Sequence, residues 1–205
     1  MKRSLLLLSV LVLLLPGCER SKTVPNVPDA GQSEAAKAGP AADAGTLPPA
    51  NDAVTLQIKD YDGILALVRD KQGKVVVLDA WSTWCEPCMR EFPGLVALHE
   101  KYGPDRVACI SLSLDFDGIG DEKPEQHRDK VLAFLNEQGA AFDNLISSDP
   151  SEELYKKLGF ASVPAVFVYD RQGQLARRFD NTDAKREPFT YQDVEALVVE
   201  LLEAQ

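Results

Sequence analysis

Residues 84–88 read WCEPC, with two cysteines separated by two residues. The apolar run before them, 74–80, predicts a central strand covered on both faces, and the segment after them, 89–102, predicts a helix. A Cys-x-x-Cys pair occurs in metal sites as well as in redox-active dithiols, and its place between a strand and a helix favours the dithiol. We therefore expect Cys85 and Cys88 to form a redox-active pair that closes to a disulfide.

The position of the pair before a helix predicts different tasks for its two cysteines. The thiolate is the attacking species in disulfide exchange, and a free cysteine with a pKa near ~8.5 is mostly protonated at neutral pH. Unpaired N–H groups at the helix start would stabilise a thiolate at Cys85, and Pro87 fits the first turn, where a missing N–H is tolerated. Cys88 is predicted to be shielded one turn further in and to release partners bound to Cys85.

Two carboxylates beside the pair bear on its chemistry. Asp79 ends the apolar strand, where burial costs free energy unless the group is neutral or paired, and burial would raise its pKa into a range useful for proton transfer. Glu86 separates the cysteines, and its charge would disfavour the thiolate and make the dithiol more reducing. Two alternatives stay open: Asp79 as a partly exposed residue, and Glu86 as a solvent-facing side chain with little influence.

The rest of the chain alternates between strand and helix patterns, which predicts a mixed sheet sandwiched by helices. In chain order we expect a strand at 54–58, a helix at 61–70, the strand 74–80, the helix 89–102, a strand at 106–114, a helix at 127–138, a strand at 142–146, a helix at 151–158, strands at 165–169 and 175–179, and a helix at 192–203. The polar segment 115–125 is expected to be a solvated connector, with a partner-specific loop as the alternative. Cys109, inside an apolar run, is expected to be a small buried residue.

The N-terminus reads as an export signal. Lys2 and Arg3 precede an apolar run, 5–15, that is shorter than the roughly 20 residues needed to span a bilayer and fits a signal peptide, residues 1–17. The tetrapeptide LPGC, which ends at Cys18, resembles a bacterial lipobox and implies that this cysteine is lipidated. The alternative is ordinary secretory cleavage that leaves Cys18 lost or free.

The composition then divides the exported chain into a tether and a domain. Residues 18–52 are rich in Ala and Pro and poor in large apolar residues, which predicts a disordered tether behind the lipid anchor. Residues 53–205 suffice for one domain with a single core. We expect the protein to be anchored to a bacterial membrane and to face the periplasm or the cell exterior. The net charge of −10 argues against a nucleic-acid partner.

The motif and the element order resemble the thioredoxin superfamily across residues 54–205. Within it, WCEPC, the export signal and an extra helix and strand between Asp115 and Ile146 resemble the TlpA and ResA group of membrane-tethered thiol-disulfide oxidoreductases. The resemblance implies an α/β, thioredoxin-like fold with a central mixed β-sheet flanked by helices. It places the helix–strand insertion between the CxxC helix and the cis-Pro loop.

The same resemblance assigns roles to residues around the pair. In thioredoxins the aspartate that matches Asp79 accepts a proton as the second cysteine attacks. Pro164 matches the cis-proline of a loop that faces the dithiol and offers the backbone of the preceding residue to an extended substrate. Trp84 is expected to shield the cysteines. The candidate substrate-binding residues are Trp84, Glu86, Pro87, Val163 and Pro164.

The resemblance also implies a physiological setting. The Glu-Pro pair between the cysteines also occurs in ResA-like reductants, which implies a reductant of protein disulfides, with apocytochrome c as a possible substrate in cytochrome c maturation. Oxidised protein would be recharged by a DsbD- or CcdA-like membrane reductase. We expect a monomer that needs no cofactor. We expect no metal either, because Cys109, His99 and His127 offer no second ligand pair.

Three alternatives come from other classes of protein. A peroxiredoxin-like peroxidase shares the fold, but it expects a Pro-x-x-x-Thr-x-x-Cys motif that is missing around Cys85. A Sco-type copper chaperone expects three residues between its cysteines, and this chain has two. A lipoprotein could also use the fold as a non-catalytic interaction module, which the intact Cys85, Cys88, Asp79 and Pro164 argue against.

Overall fold

The structure, a computed structural model, describes residues 53–182 and 187–204. The described residues therefore do not include the predicted signal peptide, the lipidation site at Cys18 or the predicted tether, 18–52. Its elements are β1 (Gln57–Lys59), α1 (Tyr61–Asp70), β2 (Val75–Trp81), α2 (Glu86–Glu91), α3 (Pro93–Tyr102), β3 (Val107–Ser113), a 3-10 turn (Pro124–His127), α4 (Arg128–Gln138), β4 (Asp143–Ser147), α5 (Ser151–Leu158), β5 (Ala165–Tyr169), β6 (Leu175–Asp180) and α6 (Tyr191–Glu203).

The described strands form one mixed sheet in the order β1-β4-β3-β2-β5-β6. Strands β1, β4, β3 and β2 run parallel to one another, and β5 and β6 complete the sheet in antiparallel pairs. All seven residues of β2 are buried, as the continuous apolar run 74–80 predicted for a central strand. The predicted α/β arrangement is confirmed, with α4 and β4 filling the stretch between Asp115 and Ile146.

Each face of the sheet carries its own layer of helices. Alternate residues of β2 point to opposite faces, so that Val75, Val77 and Trp81 join one apolar cluster and Val76, Leu78 and Ala80 join the other. The first cluster also contains the two cysteines of the pair and the buried residues of α3, α4 and α6. The second packs against α1 and α5. The redox site therefore lies on the α3, α4 and α6 side.

Two predicted elements differ from the structure for backbone reasons. The helix expected at 89–102 begins earlier, at Glu86, and divides into α2 and α3 at Phe92, because Pro93 lacks the N–H needed to continue the ladder. The strand expected at 54–58 becomes β1, since Gln57–Lys59 is the stretch that pairs with β4. Before it, the carbonyl of Thr55 accepts the side-chain amide of Asn144 at 3.1 Å instead of a strand neighbour.

Among the described residues, none of the helices is both long and apolar enough to cross a bilayer.

Candidate redox site

The two cysteines form a disulfide at the start of α2. Their sulfurs are 2.03 Å apart. Cys85 is the N-cap residue of the helix, in extended backbone, and its Sγ accepts the N–H of Cys88 at 3.3 Å. Glu86 and Pro87 form the first turn, where the missing N–H of proline costs no hydrogen bond. A thiolate at Cys85 would thus face the positive end of the helix dipole.

Burial does not distinguish the two cysteines in this oxidised state. Cys85 is 5% exposed and Cys88 is 3% exposed, so both sulfurs are nearly covered. Cys85 differs in its place before the first helical turn, next to Trp84, which is 58% exposed. Cys88 is shielded from solvent, as expected, but Trp84, which was expected to shield the cysteines, lies mostly in solvent. The other tryptophan, Trp81, is fully buried and contributes to the core.

Asp79 is buried in β2, on the face of the sheet that also carries the redox pair. It is 3% exposed and, as an odd-numbered residue of β2, lies on the same face of the sheet as Val77 and Trp81. The pKa of its carboxyl is raised from 3.8 to about 7 as the net result of three effects: burial, the largest, raises it, a hydrogen bond from Tyr191 lowers it, and the charge of Glu91 raises it. The carboxyl can therefore gain or lose a proton near neutral pH.

The Tyr191 hydroxyl donates to Asp79 Oδ2 at 2.5 Å, and sequence reasoning did not identify this contact. The two residues are 112 positions apart, and Tyr191 opens α6. No local sequence pattern predicts a contact between residues so far apart in the chain. A weak signal lies in Gly94 of α3, because a Cβ there would come within 2.2 Å of the tyrosine ring.

The loop before β5 carries a cis peptide bond between Val163 and Pro164. Ala165, the first residue of β5, pairs with Ala80 near the end of β2, and the redox motif follows β2. The antiparallel pairing therefore places the start of β5 beside the end of β2, at the end of the strands where the redox motif begins. Val163 is half-buried and packs against the apolar cluster that contains both cysteines.

Glu86 points into solvent, with 91% of its side chain exposed. Its nearest described cation is Arg90, at 3.9 Å, and Arg90 also approaches Glu91 at 3.8 Å. Water and salt screen a charge so exposed, which leaves it little influence on the neighbouring sulfur. Glu86 therefore does little to make the dithiol more reducing, and the solvent-facing alternative describes its side chain.

Asp115 is a second site residue that sequence reasoning missed. The segment 115–125 was expected to be a solvated connector, but Asp115 and Phe116 are buried. The Asp115 carboxylate accepts the backbone N–H of Thr83 at 3.1 and 3.2 Å, the Thr83 hydroxyl, and the Ser113 hydroxyl at 2.7 Å. These bonds fix the loop that leads into the redox motif. A carboxylate directly after β3, beside the strand that carries the motif, was the available signal.

Replacing Asp115 by asparagine is expected to destabilise the oxidised protein by about 1–3 kcal/mol, because the amide NH2 meets donors and leaves a buried N–H unsatisfied. Urea unfolding measures this loss. Asp117→Asn is the matched control, since Asp117 is exposed and accepts the Ser151 hydroxyl at 2.7 Å. Equal, small losses in both variants would contradict the anchoring role of Asp115.

A groove of about 430 Å³ opens beside the redox motif. Its apolar lining consists of Trp84 and Met89, two exposed side chains, and of Phe134 of α4. Polar and charged side chains complete the lining: Thr83, Glu86, Arg90, Glu137 and Gln138. Exposed apolar surface rimmed by polar groups is typical of an interaction site.

Cys109 is buried, as its apolar surroundings predicted. It is 2% exposed, and burial raises the pKa of its thiol to about 12, with a further contribution from the Asp79 charge. Its sulfur lies 3.7 Å from the carbonyl oxygen of Leu95. Within residues 53–182 and 187–204, no group of three or more His, Cys, Asp or Glu side chains is arranged to hold a metal ion.

Comparison with known proteins places this site in a family context. The model of the AhpC/TSA family matches residues 49–178. Among curated relatives, the thiol-disulfide oxidoreductase ResA of Bacillus thuringiensis (strain Al Hakam) is 26% identical over 136 residues, which cover 66% of this chain and 72% of the relative.

Two solved structures are similar over about the same share of the chain. A candidate thiol:disulfide interchange protein DsbE from Chlorobium tepidum matches with a TM-score of 0.50 and 25% identity, covering 65% of this chain and 83% of that one. A thiol-disulfide isomerase from Corynebacterium glutamicum matches with a TM-score of 0.54 and 20% identity, covering 66% and 85%. The second likeness establishes the fold alone, which is thioredoxin-like.

Proposed function

Because the chain belongs to the AhpC/TSA family, we propose that it is a thiol-disulfide oxidoreductase of the ResA and DsbE type that reduces protein disulfides outside the cytoplasm. The observation that carries the proposal is the Cys85–Cys88 disulfide at the start of α2, with the buried Asp79 carboxyl on the same side of the sheet. This arrangement supplies a nucleophile, a resolving thiol and a proton acceptor.

The reaction begins with the reduced pair. The Cys85 thiolate attacks one sulfur of the substrate disulfide, forms a mixed disulfide and releases the other substrate sulfur as a thiolate. Asp79 takes the proton of the Cys88 thiol, and the resulting thiolate attacks Cys85 Sγ. The Cys85–Cys88 disulfide forms, the second substrate sulfur leaves, and two electrons have passed to the substrate. The oxidised pair is then recharged by a DsbD- or CcdA-like membrane reductase.

Two surfaces flank the pair and would hold the substrate. The loop at Val163 and Pro164 offers backbone groups to an extended peptide, and the groove beside Trp84 offers apolar surface to its side chains. Glu86 and Pro87 lie between them at the first turn of α2. A peptide segment carrying a disulfide matches this combination better than a small-molecule disulfide does, because the peptide can use both surfaces at once.

Two buried carboxyl groups, and not the exposed Glu86, support the reducing direction. Negative charge near a dithiol raises the free energy of the thiolate and lowers the reduction potential of the pair. Asp79 is buried on the cysteine face of the sheet, and Asp115 is buried against the loop that precedes the pair. Neither carboxylate forms an ion pair among the described residues.

The reduction potential of the Cys85/Cys88 pair tests this direction. We expect a value at or below about −250 mV, in the range of thioredoxin-like reductants, when the protein is equilibrated against defined thiol buffers. Glu86→Gln should leave the potential nearly unchanged because the side chain is exposed. A potential near −120 mV would identify an oxidant and overturn the proposed direction.

The N-terminal sequence supports a membrane-bound setting for the reaction. Export by the signal peptide 1–17 and lipidation of Cys18 would hold the domain, through the tether 18–52, on the outer side of a bacterial membrane. Disulfide substrates such as apocytochrome c would meet the domain there. Mass spectrometry of the N-terminal peptide of the exported protein tests this anchor, and a Cys18 without attached acyl chains would contradict it.

A further inference from the structure

We propose that Tyr191 is a positioning residue for the redox reaction, whose hydroxyl holds the Asp79 carboxylate ready to take the proton of Cys88. The inference rests on the proposed function, in which Asp79 is the proton acceptor. It adds a residue of the C-terminal helix, far from the motif in sequence, to the machinery of the redox site.

The contact between the two residues is short and buried. Tyr191 Oη lies 2.5 Å from Asp79 Oδ2, with Tyr191 8% exposed and Asp79 3% exposed. A hydrogen bond to an ionised group is stronger than one between neutral groups, and burial removes competition from water. The bond therefore fixes one carboxylate oxygen and stabilises the charged, proton-accepting form.

The helices around the tyrosine hold its ring in place. Gly94 of α3 leaves the room that the ring occupies, since even an alanine Cβ there would come within 2.2 Å of it. Glu195 of α6 accepts hydrogen bonds from Lys101 at 2.5 Å and from the Tyr102 hydroxyl at 2.7 Å, which ties α6 to the end of α3. Thr190 caps α6 through Asp193, so the position of Tyr191 at the helix start is well determined.

The groups that face Asp79 act in opposite directions. Burial raises the pKa of its carboxyl, the Tyr191 bond lowers it, and Glu91 of α2 raises it. From β3 comes the Cys109 thiol, which stays neutral because its own pKa is raised, and β5 contributes Val166 in register with Asp79. The pKa of Tyr191 is raised well above its ordinary value, so the hydroxyl remains a donor throughout the physiological range.

Tyr191 is thus the one neighbour in this set that favours the ionised carboxylate. Without its hydroxyl, burial and Glu91 would act unopposed, and Asp79 would hold its proton to a higher pH. Fewer molecules would then carry a carboxylate able to accept the Cys88 proton at pH 7.

Tyr191→Phe tests the proposal while keeping the ring that packs against Gly94. Titration of the Asp79 carboxyl carbon by NMR in the oxidised protein, assigned with Asp79→Asn, is expected to move upward by about one pH unit. The pH profile for reduction of a disulfide-bonded peptide should move with it, and the rate at pH 7 should fall about fivefold. Tyr169→Phe, which removes the hydroxyl of a buried tyrosine on the other face of the sheet, should change neither.

Each outcome decides a different point. An unchanged Asp79 titration in Tyr191→Phe would overturn the proposal and reduce Tyr191 to a packing residue. A shifted titration with an unshifted rate profile would overturn the role of Asp79 as proton acceptor, and with it the role assigned to Tyr191. Parallel shifts of titration and rate, absent from Tyr169→Phe, would support both.

Discussion

Cys88→Ser is expected to leave the protein able to attack a disulfide once and unable to release it. Cys85 would still form a mixed disulfide with the substrate, but serine cannot displace it, so turnover should fall by more than about 10³-fold, the scale of losing a reacting nucleophile. Intact mass spectrometry after incubation with a disulfide-bonded peptide should detect a covalent adduct that a thiol reductant removes.

The matched variant is Cys85→Ser, which should form little adduct because Cys88 lies one turn inside the helix. Both sulfurs are nearly covered in the oxidised state, so exposure alone does not set this order. The order follows from the N-cap position of Cys85 and the N–H of Cys88 directed at its sulfur. An adduct on Cys88 in the Cys85→Ser variant, with none on Cys85 in Cys88→Ser, would reverse the assigned roles.

The elements that the sequence predicted well are those with strong local signals. The apolar run 74–80 became the buried central strand, and α1 and α5 occupy the ranges that their periodicity predicted. WCEPC marked the helix start because cysteine, glutamate and proline there satisfy the cap and the first turn locally. These features depend on neighbours a few residues away, which a single sequence displays.

The parts that escaped prediction depend on tertiary contacts. Asp115 read as the start of a polar loop, but the parallel pairing of β2 and β3 carries it to Thr83, 32 positions away. Tyr191 reaches Asp79 across 112 positions. For Glu86 the sequence predicted too much: its position between the two cysteines suggested an influence on the thiolate, which the exposure of its side chain removes. Hydrophobic periodicity contains no information about which polar groups meet beneath the site.

Asp79→Asn is expected to make the oxidised protein more stable at neutral pH and a poorer reductant. Burial raises the pKa of the Asp79 carboxyl from 3.8 to about 7 in the folded state. Asparagine keeps an oxygen that can accept the Tyr191 hydroxyl, but it never has to carry a buried charge. Loss of the proton acceptor should slow disulfide reduction by about 10²-fold.

The sign of the stability change depends on pH. Below pH 3.8 the carboxyl is protonated in both states, and its contribution to stability is fully present. As pH rises towards 7 the unfolded state loses the proton while the folded state keeps it, so the wild type loses stability, by ~4 kcal/mol once the window is crossed. The Asp79→Asn variant has no such window, and its advantage should grow from pH 4 to 7 and then level off.

Urea unfolding of the oxidised proteins between pH 4 and 9 measures this difference. Asp149→Asn is the control of opposite sign. Burial alone would raise the pKa of Asp149, but hydrogen bonds from Lys157 and from the Tyr61 N–H hold it below 3.8. Asp149 therefore titrates below the measured pH range. The difference in unfolding free energy between Asp149→Asn and the wild type should then not change with pH. If the difference in unfolding free energy between Asp79→Asn and the wild type also did not change with pH, Asp79 would be ionised over the whole measured range. A carboxyl group that is already ionised at pH 5 could not give the disulfide reduction a pH dependence near neutrality.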